Sequence, residues 1–145
     1  MLVTAHKQNC GFTLLEVLLA LSLLAGTGFV LLVKVPAHLQ SQRLAQSSTQ
    51  LLEDLRDARQ AALAENTYYK IKFYQSSGFY RIFRQVTWVK DVPLAKGVSF
   101  LGQPADLVFN AAGTPSVGMT IILTTSGAGQ KKVVVAPVGG RIREE

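Results

Sequence analysis

Cys10–Val33 reads CGFTLLEVLLALSLLAGTGFVLLV. The 22 residues Phe12–Val33 contain one ionisable group, Glu16. Coiled as a helix they extend roughly 33 Å, enough to cross a hydrocarbon core of about 30 Å. A cleaved secretory signal has an apolar stretch of only about 7–15 residues, ending at a small-x-small site. Here the nearest small cluster, Ala25–Gly28, is followed by five more apolar residues, Phe29–Val33, so a signal anchor fits better. A lipoprotein signal fits poorly, because the apolar region follows Cys10 instead of preceding it. A carboxylate such as Asp costs about 2.5–3.5 kcal/mol at a membrane helix centre, and less near an end. Glu16 therefore has two readings. It meets a partner inside the membrane, or it snorkels to the headgroups from its place near the end of the block.

The order Gly11, Phe12, Thr13, Leu14, Leu15, Glu16, followed directly by a membrane-length span, resembles the class III signal of type IV pilins and pseudopilins. The resemblance implies cleavage between Gly11 and Phe12 by a prepilin peptidase on the cytoplasmic side. It implies N-methylation of the new terminus at Phe12. It makes Glu16 the assembly carboxylate, meeting the N-terminal amine of a neighbouring subunit in a filament. An amine cation and a carboxylate, both in apolar surroundings, offset each other's desolvation. The implied partners are other pilin or pseudopilin subunits, the peptidase, an inner-membrane assembly platform and the membrane itself.

The 112 residues after Val33 suffice for one domain with a core and are too few for two. Cys10 is the only cysteine and lies in the expected leader, so disulfides and cysteine metal sites are not expected in the mature chain. The net charge is +6, and all of it arises after residue 33. A basic exported domain suits anionic lipid, an acidic partner or nucleic acid, or is simply a solvated surface. Lys7 favours a cytoplasmic N-terminus, although Lys34 on the other flank weakens the asymmetry.

Beyond the span, Pro36 predicts a kink or a break. Leu44, Ser48, Leu51, Leu55, Ala58 and Ala62 follow helical spacing and form the expected core face of a helix ending near Asn66. Glu53, Asp54, Arg56, Asp57 and Arg59 fall mostly off that face, and Gln40, Gln42, Gln46 and Gln50 are placed for contacts with other subunits. After Asn66 the period shortens. In TYYKIKFY, Lys70 and Lys72 share one face while Tyr69, Ile71 and Phe73 share the other. FYRIFRQV, DLVFNAAG, GMTIILTT, KKVVVAP and GGRIREE follow, with WVKDVP and GVSFL as shorter candidates, so six or seven strands are expected with no helical window between them. The expected fold class is α+β: a long N-terminal helix, membrane-spanning in its first half, packed on an antiparallel β-sheet domain of pilin-like form. The expected divisions are a leader over 1–11, a membrane helix over 12–33, its extracytoplasmic continuation over 34–66 and a β-rich domain over 67–145.

The later segments extend the resemblance to GspH/FimT-type minor pseudopilins, with competence (ComG-type) pseudopilins as relatives. The matching positions are Ala58, Arg59 and Ala62 at the helix end, then Phe109, Gly113, Pro115, Gly118 and Ile121, then Gly140 and Arg141. Residues 75–103 carry no such match. Turn geometry alone accounts for the glycines, so they indicate a fold and not a site.

Enzyme chemistry is not expected. His6 lies in the leader and His38 stands alone, so no Ser or Thr has an evident base. GAGQKK lacks the strand-to-helix context of a phosphate loop. No cofactor or metal ligand set is evident. The leading expectation is a structural subunit of a type II secretion, type IV pilus or competence filament, resident in the inner membrane with its C-terminal domain outside the cytoplasm. The first rival is a DNA-binding minor pilin active in DNA uptake, using Lys131, Lys132, Arg141 and Arg143 if their strands are neighbours and bring the cations into one patch. Glu144 and Glu145 weaken such a field, and a solvated basic edge that prevents aggregation explains the same residues. The second rival is a signal-anchored β domain with no filament.

Overall fold

The structure is a computed structural model describing residues 13–127 and 129–145, with the backbone alone over 25–37. The chain divides after Pro36 into an N-terminal unit and a globular unit, Ala37–Glu145. One helix, α1, covers Leu14–Ala64. Its assignment runs through Pro36, so the expected break there does not occur. A proline forfeits only one intrahelical hydrogen bond, which a long helix can absorb. Gly11, Phe12 and the leader lie outside the described residues, as does part of the expected span over 12–33. Among the described residues, no helix is long and apolar enough to cross a membrane.

The C-terminal end of α1 is fixed by backbone chemistry. Asn66 adopts a positive φ of 49°. Thr67 N donates to Ala62 O at 3.1 Å and Asn66 N to Leu63 O at 3.4 Å, the paired bonds of a left-handed helix cap. The chain then turns directly into the first strand. Leu44, Ser48, Leu51, Leu55, Ala58 and Ala62 are all buried, as their spacing predicts.

Eight strands follow, one more than the upper expectation: β1 (Tyr69–Tyr74), β2 (Phe79–Arg84), β3 (Thr87–Pro93), β4 (Val98–Phe100), β5 (Leu107–Phe109), β6 (Met119–Thr125), β7 (Gly129–Val135) and β8 (Ile142–Glu144). They form two antiparallel four-stranded sheets, in the orders β3-β2-β1-β5 and β4-β6-β7-β8. In β1, Tyr69, Ile71 and Phe73 point inward while Lys70 and Lys72 point outward, as alternation requires. A bulge between Ile82 and Phe83 leaves Val89 without a partner and twists β3 at the sheet edge. The core joins the helix face to Phe73, Tyr80 and Phe109 of the first sheet and to Ile121, Leu123, Val133 and Val135 of the second. At about 25 cal/mol per Å² these large apolar side chains supply the main drive for folding without any disulfide.

Candidate functional site

Two places carry the residues singled out by sequence: the start of α1 and the C-terminal end of the second sheet. At the first, Thr13 caps the helix. Its hydroxyl accepts from Glu16 N at 3.3 Å, and its carbonyl accepts from the same amide at 3.0 Å. Thr13-Leu14-Leu15-Glu16 is the Ser/Thr-x-x-Glu spacing of a capping box, a local role for these residues that the sequence reading overlooked. Glu16 lies in the first helical turn, where a carboxylate also complements the helix dipole. Around it, every large apolar residue from Leu14 to Leu24 is exposed. Glu16 is thus a carboxylate among exposed apolar side chains.

At the second place, the expected basic patch is not assembled. KKVVVAP and GGRIREE are neighbours, since β7 pairs with β8. Their antiparallel register, however, puts Ile142 opposite Val135, and the Arg141 carbonyl accepts from Ala136 N. Arg141 therefore sits about 13 Å along the strand from Lys132. Two of the cations are also neutralised locally. Lys131 Nζ lies 2.6 Å from Glu144 Oε1, and Arg143 Nη2 lies 2.8 Å from Glu145 Oε1.

Arg141 instead joins two helix arginines. Arg56, Arg59, Gln60, Gly140, Arg141 and Ile142 line an open pocket of about 340 Å³. Arg59 Nε donates to Gly113 O at 3.0 Å and Arg59 Nη2 to Gly139 O at 2.8 Å. Arg56 Nη2 donates to Ile142 O at 3.2 Å. Gly140, at φ +60°, passes so close that a Cβ there would lie 2.6 Å from Gly113 O and 2.8 Å from Arg59 Nε. The scattered positions Arg59, Gly113, Gly140 and Arg141 thus converge on one clamp. Sequence order hid this convergence, because 54 and 80 residues separate the two pairs of hydrogen-bonding partners.

A second unforeseen group lies on the opposite flank of the helix. Asp54 is buried, although it falls among the charged residues expected off the core face. Tyr80 Oη donates to Asp54 Oδ2 at 2.5 Å, and Lys90 Nζ donates to Asp54 Oδ1 at 2.6 Å. Burial, reinforced by the hydrogen bond to the Asp54 carboxylate, holds the Tyr80 hydroxyl far above its ordinary pKa. The group ties α1 to β2 and β3. Gln40, one of the glutamines assigned to contacts outside the chain, also turns inward, accepting from Thr125 Oγ1 at 3.0 Å. Among the described residues, no three His, Cys, Asp or Glu side chains are grouped to hold a metal ion.

Residues 6–25 match the prokaryotic N-terminal methylation motif. The chain carries this motif ahead of a pilin-like fold. The motif stands on a globular fold shared with minor pilins and pseudopilins. The minor pseudopilin EpsH from the type 2 secretion system of Vibrio cholerae superposes with a TM-score of 0.59 at 16% identity, covering 71% of this chain and 96% of that one. The type IV minor pilin FimU of Pseudomonas aeruginosa superposes with a TM-score of 0.60 at 16% identity, covering 72% of the pilin-like chain and 89% of its own. No match is found among curated proteins. At such identities the superpositions establish the fold, and the motif match is confined to residues 6–25.

Proposed function

We propose that this pilin-like chain is a minor structural subunit of a type II secretion or type IV pilus filament. A prepilin peptidase cuts it between Gly11 and Phe12, and Phe12 becomes the methylated N-terminus. Before assembly it resides in the inner membrane as a single-pass protein, with its N-terminus cytoplasmic and its globular unit outside the cytoplasm. An assembly platform in that membrane feeds it to the filament. The observation that carries this reading is the methylation motif at residues 6–25, joined to a helix whose large apolar side chains from Leu14 to Leu24 are exposed. Glu16 meets the Phe12 amine of a neighbouring subunit, and the two charges replace the water each loses.

The experiment replaces Glu16 with Val. The variant is expected to insert in the membrane, because the segment becomes more apolar. It is expected to be cut normally, because position 16 lies beyond the cut. Its content in sheared filaments is expected to fall about tenfold or more, the effect of leaving one charge in an apolar setting without its partner. Wild-type content in filaments would remove the assembly role from Glu16 and leave it only its favourable place in the first helical turn.

A further inference from the structure

The three arginines around Gly140 form a site for which filament assembly through α1 has no use. We propose that this pocket receives one Asp or Glu side chain presented by a neighbouring subunit. The inference rests on the filament reading for the identity of the neighbour, and on the geometry for the chemistry.

The charge accounting is the first support. Lys70, Arg81, Arg84, Lys90, Lys131 and Arg143 each have a carboxylate within ion-pair distance. Arg56, Arg59 and Arg141 have none among the described residues, although they share one pocket. Three cations held together repel one another, and an anion that binds them all relieves the repulsion.

Pre-organisation is the second. The carbonyls of Gly113, Gly139 and Ile142 fix two of the three guanidinium groups. Those bonds use two of the five N–H donors of Arg59 and one of the five of Arg56, so both forks keep free donors. Planar forks with free paired donors match a carboxylate, and fixed forks lose little freedom on binding it.

The surroundings choose among anions. Glu53 and Asp57 are exposed on the helix within one turn of Arg56. These acids repel a polyanion such as duplex DNA and impose far less on a single carboxylate that enters between them. The site is also concave, suited to one protruding side chain.

The test uses the full chain in non-ionic micelles, labelled so that arginine Nε–H resonances are resolved. The probe is the blocked tripeptide acetyl-Gly-Glu-Gly-amide, with the Gln peptide as control and a short DNA duplex as competitor. The Glu peptide is expected to shift the Arg56, Arg59 and Arg141 signals saturably, and the Gln peptide is not. Arg141→Gln is expected to weaken binding about tenfold, the loss of one charge-assisted pair, while Lys132→Gln leaves it unchanged. Three results overturn the proposal: no saturable shift with the Glu peptide, equal weakening by both substitutions, or duplex DNA taking the same signals more tightly than the peptide. In cells, Arg141→Glu is expected to lower subunit content in filaments while cleavage at Gly11 continues. Undiminished content overturns the proposal, whereas lost cleavage in the unsubstituted chain counts against the filament reading alone.

Discussion

Leu18 and Leu55 belong to the same helix and live in different worlds: Leu18 is 57% exposed and Leu55 is 0% exposed. From Leu14 to Leu24 the helix is apolar except at Glu16 and Ser22, and its large apolar side chains are between 49% and 78% exposed. From Leu44 to Ala62 one face is buried by the chain's own sheets. A helix surface this rich in exposed apolar side chains is of the kind that lipid or other helices cover. The first stretch is composed for surroundings outside the molecule, and the second for its own core. The chain thus combines a globular unit with a closed core and a helical stretch whose apolar side chains are exposed.

The largest expected effect separates the two stretches directly. Leu55→Ala should lower the unfolding free energy of the full chain in non-ionic micelles by about 2–5 kcal/mol, since it leaves a cavity in a closed core. Leu18→Ala should change it by less than about 0.5 kcal/mol, since no contact within the globular unit is lost. Urea titration followed by circular dichroism measures both. Equal costs would mean that the first stretch packs on the domain and that the contrast is false.

Asp54→Ala should have the next largest effect, about 1–3 kcal/mol, by leaving the buried Tyr80 hydroxyl without its acceptor. Lys90, 47% exposed along its side chain, can turn to water and contributes little to the loss. A cost near zero in the same titration would show that the group does not tie the helix to the sheet.

Tyr80→Phe should cost less, about 1 kcal/mol at neutral pH, but it sharpens the comparison through its pH dependence. The folded pKa of Tyr80 is raised, chiefly by burial and then by the Asp54 hydrogen bond. Below a pH of about 10 both folded and unfolded tyrosine are neutral, and the contribution is fully present. Above it the unfolded tyrosine ionises while the folded one does not, so stability falls as the pH rises. The variant should lose stability less steeply than the wild type in urea titrations at alkaline pH. An unchanged slope would place the Tyr80 hydroxyl in water.

Legibility followed the range of the interactions. The core face of α1 was readable because helical period is a local property, and Leu44 to Ala62 fall on it without exception. The alternation in β1 was readable for the same reason. Asp54 was misplaced because its partners, Tyr80 and Lys90, come from strands that no local pattern links to the helix. The basic patch was misjudged because register, not composition, decides which cations meet, and it sent Arg141 to Arg56 and Arg59 rather than to Lys132. The glycines were read as turn geometry alone, whereas Gly140 also allows the close approach of Arg59, which only the folded chain displays.

The central claim is that this is a processed filament subunit, and the mature N-terminus tests it most directly. Protein extracted from the membrane fraction is sequenced from its N-terminus and its intact mass is measured. The account predicts loss of the first 11 residues, with Phe12 at the new terminus carrying one methyl group. A mature chain beginning at Met1, or one beginning beyond Ala25, would contradict it.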